Sequence, residues 1–178
     1  MEEHYREIRE AYDKFYNTLL MRGQFPWKDT GIGYWGISVA DEVFELFKRI
    51  NLQKSSHFVD IGSGDGKVAM IASLFTKSTG IEYDPWLVKC SEIIKKKLSH
   101  IPHVADTRFL QKDFMEHHLG EFDVIYWHPD KPMRELEGKL RKEMSGKLIV
   151  HGPFHNPQSL KKEQTIEISG TYFNIFSN

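Results

Sequence analysis

Apolar residues in the first part of the chain recur at helical spacing. Between residues 1 and 21 they lie three or four positions apart, with charged residues between them, which predicts an amphipathic helix. Residues 22–38 are rich in glycine and aromatic side chains, and because flexible linkers contain few aromatic residues, this segment is predicted to be an ordered loop. A second helix follows, with Ser38 as its predicted N-cap and an apolar stripe that ends at Ile50.

From residue 57 onward, short apolar runs alternate with amphipathic segments. The runs predict strands at 57–61, 78–83, 107–110, 122–127 and 147–150, and the amphipathic segments predict helices at 66–75, 85–99 and 133–144. Two further strands, 165–169 and 171–176, flank Gly170 and predict a closing antiparallel hairpin. The expected fold is α/β: a three-layer, Rossmann-like, mainly parallel sheet preceded by N-terminal helices. We expect one domain over 1–178, with the helices and aromatic loop in 1–52 and the α/β core in 53–178.

The turn after the first strand of this core, 59-VDIGSGDGKV-68, fits two kinds of nucleotide site. The residues from Gly64 to Ala69 fit the dinucleotide pattern G-x-G-x-x-G/A, in which the turn holds a pyrophosphate. The residues from Asp60 to Gly66 instead fit a turn that holds S-adenosylmethionine. An acid at the strand end repels a pyrophosphate, but it attracts the ammonium and sulfonium groups of adenosylmethionine. Asp60 therefore favours adenosylmethionine.

Two more acids follow the next two strands. Glu82 stands where an acid binds ribose hydroxyls, a feature that both cofactors share, and Asp113 stands where an adenine amino group can be bound. The carboxyl ends of neighbouring parallel strands form the ligand-binding edge of such a sheet. A chain of 178 residues also leaves little room for the substrate domain of a dehydrogenase. These points predict adenosylmethionine as the cofactor.

The turn 59-VDIGSGDGKV-68, together with 80-GIEYDPWLV-88, resembles the class I methyltransferases that depend on adenosylmethionine. More narrowly, these segments are similar to the small lysine methyltransferases of the adenine nucleotide translocase and ATP synthase type and their archaeal relatives. The resemblance covers the region 57–130. It implies methyl transfer to a nitrogen, with a protein lysine as the expected acceptor, and a protein as the expected partner.

The resemblance also implies roles for individual residues. The methionyl part of the cofactor would lie against Asp60, Gly62, Ser63 and Gly64, and the ribose against Glu82. The adenine would lie near Tyr83 and Trp86, with Asp113 and Phe114 at its edge. Each residue taken alone also fits a structural role, Asp60 as a helix cap and Trp86 as part of the core.

The acceptor end is expected at 127-WHPD-130, where many amine-directed methyltransferases carry an [N/D]-P-P-[F/Y] loop. The difference argues against the branches that methylate adenine N6 or glutamine. It leaves His128 or Asp130 as a general base or polar clamp, with Trp127 and Pro129 beside the substrate. From the aromatic loop, Trp27, Tyr34 and Trp35 are expected either to line a channel for a lysine side chain or to cover the core.

Composition narrows the alternatives further. A net charge of −1 argues against a nucleic-acid partner, and the single cysteine, with no signal peptide or apolar span, predicts a cytoplasmic protein without a membrane partner. No metal is expected: neither Glu116-His117-His118 nor the pair His151 and His155, separated by Gly-Pro, has the spacing of a helical metal motif. Methylation of RNA or a small molecule, and a non-catalytic module that binds the cofactor, remain the alternative functions.

Overall fold

The computed structural model describes residues 1–132 and 134–178. The N-terminal part consists of two helices joined by a two-stranded antiparallel ribbon: α1 (Glu2–Met21), β1 (Lys28–Asp29), β2 (Tyr34–Trp35) and α2 (Ala40–Arg49). The ribbon lies within the predicted aromatic loop. The helices pack on each other through Tyr5 and Phe44, whose rings stack 4.0 Å apart.

The remainder alternates strands and helices, as predicted. In chain order the elements are β3 (His57–Ile61), α3 (Lys67–Ser73), β4 (Lys77–Glu82), α4 (Pro85–Lys97), α5 (Pro102–Ala105), β5 (Arg108–Gln111), β6 (Val124–Trp127), α6 (Arg134–Glu143), β7 (Lys147–His151), β8 (Lys161–Ile168) and β9 (Thr171–Ser177). The strands β3 to β9 form one seven-stranded sheet in the order β5-β4-β3-β6-β7-β9-β8. The first five strands in this order run parallel to one another. The strand β9 lies between β7 and β8 and is antiparallel to both.

The sheet is covered on both faces, which confirms the predicted three-layer α/β fold with its C-terminal hairpin. Side chains of one face join α1, α2 and α3 in a large apolar cluster that includes Phe47, Phe58 and Tyr126. Those of the other face, among them Ile125 and Leu148, pack against α6. At β3 the chain order reverses, because β4 lies on one side of it and β6 on the other. Ligands bind at such switch points in parallel sheets.

Three local features differ from the predictions. The N-cap of α2 is Val39, so the prediction of Ser38 was wrong by one residue; short turns at helix ends are poorly specified by sequence. The strand β8 begins at Lys161, earlier than predicted, and α5 was not predicted because it has only four residues. The predicted start of α6, Met133, lies outside the described residues. In the described part of the chain, no helix has the length and apolar character needed to cross a membrane.

Candidate active site

The turn between β3 and α3 depends on glycine for its conformation. Gly62, Gly64 and Gly66 all have positive φ angles, of 71°, 55° and 82°, in the left-handed region that other residues rarely adopt. Gly64 also lies under an aromatic ring, because a Cβ atom there would be 2.5 Å from Cδ1 of Trp35. The backbone N–H of Gly62 donates a hydrogen bond to the carbonyl oxygen of Ile81 in β4, at 2.9 Å. The turn is therefore held between the sheet and the N-terminal ribbon.

Helix α1 also holds this turn. The Tyr16 hydroxyl donates to Oδ2 of Asp65 at 2.6 Å, and the Tyr12 hydroxyl donates to the carbonyl oxygen of the same residue at 2.8 Å. All three residues are buried. The conformation of the turn thus depends on a helix more than forty residues away in sequence.

Asp60 lies at the carboxyl end of β3, where the predicted ammonium site would be. Its side chain is only 3% exposed, and its carboxylate accepts no hydrogen bond from any described residue. Burial, with repulsion from Glu82 and Asp65, raises the pKa of Asp60 well above its ordinary value. A buried acid without a cation is unfavourable, so this position suits a positively charged ligand group.

Glu82 ends β4 beside the glycine turn. Its Oε2 accepts a hydrogen bond from the Gly64 N–H and its Oε1 accepts one from the Asp84 N–H, both at 2.8 Å. Burial raises the pKa of Glu82, and these backbone donors oppose the shift. The carboxylate is therefore oriented by the turn itself, and its oxygens retain further acceptor sites for hydroxyl groups.

Two adjoining cavities cover this edge of the sheet. A cavity of about 710 Å³ is lined by eleven of the predicted site residues: Tyr34, Trp35, Gly62, Gly64, Glu82, Tyr83, Asp113, Phe114, Trp127, His128 and Asp130. A smaller cavity of about 220 Å³ has three more of them in its lining, Asp60, Ser63 and Pro129. The two share several lining residues, including Gly62 and His128. The structure therefore brings these fourteen residues together around one cleft, whereas Trp27 and Trp86 line a separate groove.

His128 lies between the two cavities, directly after β6. Its Nδ1 is 3.4 Å from the Ser38 hydroxyl, and its ring stacks on that of His151 with centroids 3.8 Å apart. Partial burial lowers the pKa of His128, and the nearby Asp130 carboxylate opposes the shift. The imidazole is consequently neutral at neutral pH and can accept a proton.

His151 and Tyr126 lie beneath His128, a position that was not predicted from the sequence. The Tyr126 hydroxyl lies 2.6 Å from Nδ1 of His151, and both side chains are buried under His128. The sequence signal was available in the strand order: β6 and β7 are neighbours, with Trp127 opposite Val150, so the residues that follow them lie side by side. From the sequence alone, His151 stands out only with His155, as a candidate metal pair.

Asp130 ties the aromatic loop to the segment that follows β6. Its Oδ2 accepts a hydrogen bond from the Tyr34 N–H at 2.7 Å, and a Cβ atom at Gly33 would lie 3.1 Å from the same oxygen. The Lys131 ammonium donates to the carbonyl oxygen of Ile32 in the same loop. One oxygen of the predicted base is thus engaged in holding the loop.

The aromatic residues of the loop were predicted either to line a channel for the substrate or to cover the core, and they differ in their positions. Tyr34 is 57% exposed, lines the larger cavity and stacks on Trp27 at 5.2 Å. Trp35 is buried, and its ring packs edge-on against Trp86 at 5.9 Å. Trp86 itself lines a separate groove with Trp27 and Lys28, away from the cavity around Glu82. Tyr34 is therefore open to the larger cavity, whereas Trp35 chiefly covers the glycine turn.

The adjacent histidines His117 and His118, candidate metal ligands in the sequence, lie beside different acids. His117 lies 3.4 Å from Glu121, and His118 lies 3.4 Å from Glu143. Among residues 1–132 and 134–178, no group of three or more His, Cys, Asp or Glu side chains has the arrangement of a metal site.

Solved structures with a similar fold include several methyltransferases. An RNA methyltransferase from Salinibacter ruber, in complex with S-adenosyl-L-homocysteine, has a TM-score of 0.62 at 20% identity, over 79% of this chain and 92% of that one. The magnesium protoporphyrin IX methyltransferase ChlM from Synechocystis PCC 6803, with bound SAM, has a TM-score of 0.59 at 14% identity, over 76% and 75%. A mutant of MtNAS in complex with S-adenosylmethionine has a TM-score of 0.64 at 14% identity, over 77% and 62%.

At the level of sequence, no curated protein matches the chain. Residues 33–125 match the profile of the family described as "Histone methylation protein DOT1". That segment is more than half of the chain and runs from the aromatic loop through the glycine turn into β6. It ends before 127-WHPD-130, so the match includes the glycine turn, Glu82 and Asp113 and leaves that segment out. The prediction of a class I methyltransferase that depends on adenosylmethionine is therefore confirmed, and the chain belongs to the DOT1 histone methylation protein family.

Proposed function

We propose that this protein transfers a methyl group from S-adenosylmethionine to the side-chain nitrogen of a protein lysine. The observation that carries the proposal is the position of His128, a neutral imidazole at the junction of the two cavities, between the glycine turn and the aromatic loop. The family description, which names histone methylation, supports a protein acceptor.

The residues of the cleft fit the proposed cofactor. The buried acid Asp60 suits its ammonium, and the carboxylate of Glu82, held in place by two backbone donors, suits the ribose hydroxyls. At the far end, Phe114 is buried, and Asp113 accepts a hydrogen bond from the Met115 N–H through Oδ1 at 2.8 Å. This leaves the second oxygen of Asp113 for an adenine amino group. When bound, adenosylmethionine supplies an activated methyl group that needs only an aligned nucleophile.

The acceptor end suits a cation that must lose a proton. A lysine is protonated at neutral pH and becomes a nucleophile only as the free amine. Four carboxylates, against two cationic side chains, line the larger cavity: Glu82, Asp113, Asp130 and Glu135 against Lys131 and Arg134. Glu82 and Asp113 are assigned to the cofactor, so Asp130 and Glu135 are the acids left to attract the ammonium group of an acceptor. His128 is placed to accept the proton, with Tyr34, Trp127 and Pro129 as walls for the aliphatic stem.

A labelling experiment tests the acceptor. Purified protein is incubated with a cell lysate and adenosylmethionine carrying a labelled methyl group, and the label is followed in protein, RNA and small molecules. We expect label in protein, recovered as methyl-lysine after hydrolysis, and its loss in Asp60→Ala and His128→Asn. Label only in RNA or small molecules would replace lysine with those acceptors.

A binding experiment distinguishes a protein that binds adenosylmethionine without catalysing transfer from a protein that uses a different cofactor. Calorimetry with adenosylhomocysteine is expected to show binding, whereas NAD gives no signal. Binding without any methyl transfer in the lysate would make the protein a module that binds the cofactor. Binding of NAD in place of adenosylhomocysteine would refute the proposal altogether.

A further inference from the structure

The hydroxyl group of Ser38 does not cap the helix that follows it. Val39 occupies the N-cap position of α2, and that helix begins without a hydrogen bond from a side chain. The buried Ser38 hydroxyl instead lies 3.4 Å from Nδ1 of His128. Catalytic hydrogen bonds are often this long before the substrate is bound, and they shorten in the complex. Ser38 therefore contacts the proposed base and has no capping role.

The hydrogen bond beneath His128 has a direction. The Tyr126 hydroxyl lies 2.6 Å from Nδ1 of His151. Bonds with an N–H donor to oxygen are rarely shorter than about 2.7 Å, whereas O–H donors reach about 2.5 Å, so this distance indicates that the phenol donates. Burial raises the pKa of Tyr126 and lowers the pKa of His151 to about 3. At neutral pH the phenol therefore keeps its proton, and the neutral imidazole accepts the hydrogen bond.

The Tyr126 oxygen can also accept a hydrogen bond while its proton is donated to His151. Ser38 is placed to be the donor, since Ser38, Tyr126 and His128 all line the smaller cavity. Burial raises the pKa of Tyr126, and the Ser38 hydroxyl opposes this shift, as a donor to the phenol oxygen does. A serine that donates its single proton to Tyr126 can only accept at His128.

We propose that Ser38, Tyr126 and His151 are positioning residues that fix the tautomer of His128, with the hydrogen on Nδ1 and the basic lone pair on Nε2. The hydrogen bonds would then run in one direction, from His128 through Ser38 and Tyr126 to His151. This inference rests on the proposed function, in which His128 takes a proton from the acceptor lysine. Because His128 lines both cavities and Nδ1 faces Ser38, Nε2 is the nitrogen left for a group bound in the cleft.

The fixed tautomer suits both states of the base. In the proton transfer, an N–H bond of the lysine ammonium breaks and an Nε2–H bond forms on His128. The resulting imidazolium still donates from Nδ1 to the Ser38 oxygen, so the hydrogen bonds to Ser38, Tyr126 and His151 need no rearrangement. With the opposite tautomer, Nε2 would already carry a hydrogen and could not accept the proton.

Nitrogen NMR of the full chain with isotope-labelled histidine reads the tautomer directly and needs no acceptor. The His128 signals are identified by their loss in His128→Asn. In the wild-type protein at neutral pH, we expect the hydrogen on Nδ1. Ser38→Ala removes the acceptor at Nδ1, and Tyr126→Phe frees the Ser38 proton to be donated to Nδ1, so both variants are expected to move the hydrogen towards Nε2. Ser38→Thr keeps the hydroxyl and is expected to keep the tautomer.

The same variants are compared by their rate of methyl transfer from labelled adenosylmethionine to lysate protein. Ser38→Ala and Tyr126→Phe are expected to lower the rate by about 2- to 10-fold, the effect of one hydrogen bond between neutral groups, with the affinity for adenosylhomocysteine unchanged. Ser38→Thr should restore most of the rate. The matched control is Ser99→Ala, at an exposed serine just after α4, which should change neither the rate nor the tautomer.

A wild-type protein with the hydrogen of His128 on Nε2 would overturn the assignment, even if the variants failed to fold. An unchanged tautomer in folded Ser38→Ala would overturn it as well, because the serine would then only fill space. Absence of methyl transfer to protein by the wild type, together with the expected tautomer, would instead refute the proposed function and leave the series of hydrogen bonds established.

Discussion

The imidazole rings of His128 and His151 lie stacked, with their centroids 3.8 Å apart and 14° between their planes. They come from neighbouring parallel strands, His151 from the last residue of β7 and His128 from the first residue after β6. Burial and the proximity of His128 lower the pKa of His151 to about 3. At neutral pH, His128 therefore rests on an uncharged ring, which itself is fixed by the Tyr126 hydroxyl.

The first prediction concerns acid stability. An unfolded histidine gains a proton near pH 6.5, but native His151 does so only near pH 3, so between these values the unfolded state binds more protons. The stability that uncharged His151 contributes is thus fully present above about pH 6.5. It is lost as the pH falls, by about 1.4 kcal/mol of unfolding free energy per pH unit for one proton. His151→Phe should reduce this loss between pH 7 and pH 5, measured as the free energy of unfolding in urea. His103→Gln, at an exposed site, should leave it unchanged.

The second prediction concerns Asp60, whose burial opposes folding. Its native pKa is raised, so the ionised form destabilises the free protein as the pH rises above the ordinary aspartate range. Asp60→Asn should therefore raise the melting temperature of the free protein at pH 7. The same variant should lose the further rise that adenosylhomocysteine gives to the wild-type protein. A free variant less stable than wild type would mean that the carboxylate is structural.

The third prediction separates backbone strain from steric overlap in the glycine turn. Gly62→Ala and Gly64→Ala both place an alanine at positive φ, which costs about 1–2 kcal/mol. Only Gly64→Ala also drives a methyl group into the Trp35 ring, for an additional cost of about 1–3 kcal/mol. Unfolding free energies of the two variants should differ by that amount. Equal losses would show that the Trp35 ring moves aside freely.

The fourth prediction distinguishes two roles for Asp130. Asparagine keeps a carbonyl oxygen that can accept the hydrogen bond from the Tyr34 N–H, whereas alanine removes it. If Asp130 mainly holds the loop, Asp130→Ala should lower methyl incorporation and accelerate hydrogen exchange at the Tyr34 amide, and Asp130→Asn should change both much less. Equal loss of methyl incorporation in both variants, with slow exchange in Asp130→Asn, would instead identify the carboxylate as the base.

The parts of the site that are local in sequence were predictable, and the parts that depend on distant packing were not. Asp60, Glu82 and Asp113 each lie at or just after the carboxyl end of a strand, and parallel strands bring such positions to one edge. The burial of Trp35 over Gly64 depends on the path of the aromatic loop, which no hydrophobic period specifies. Likewise, the pairing of Lys67 with the rings of Tyr12 and Tyr16 requires the docking of α1, which periodicity predicts as a helix without indicating where it packs.

The contacts of Tyr16 and Trp35 with the glycine turn have a consequence for shortened forms of the protein. A fragment that begins at residue 53 would keep all seven strands of the large sheet. It would also expose Met70 and Ile71, which are fully buried in the intact chain, and would leave Asp65 without its tyrosine partners. We therefore expect that fragment to aggregate and to bind no nucleoside, and we expect the cofactor site to survive only in forms that retain α1.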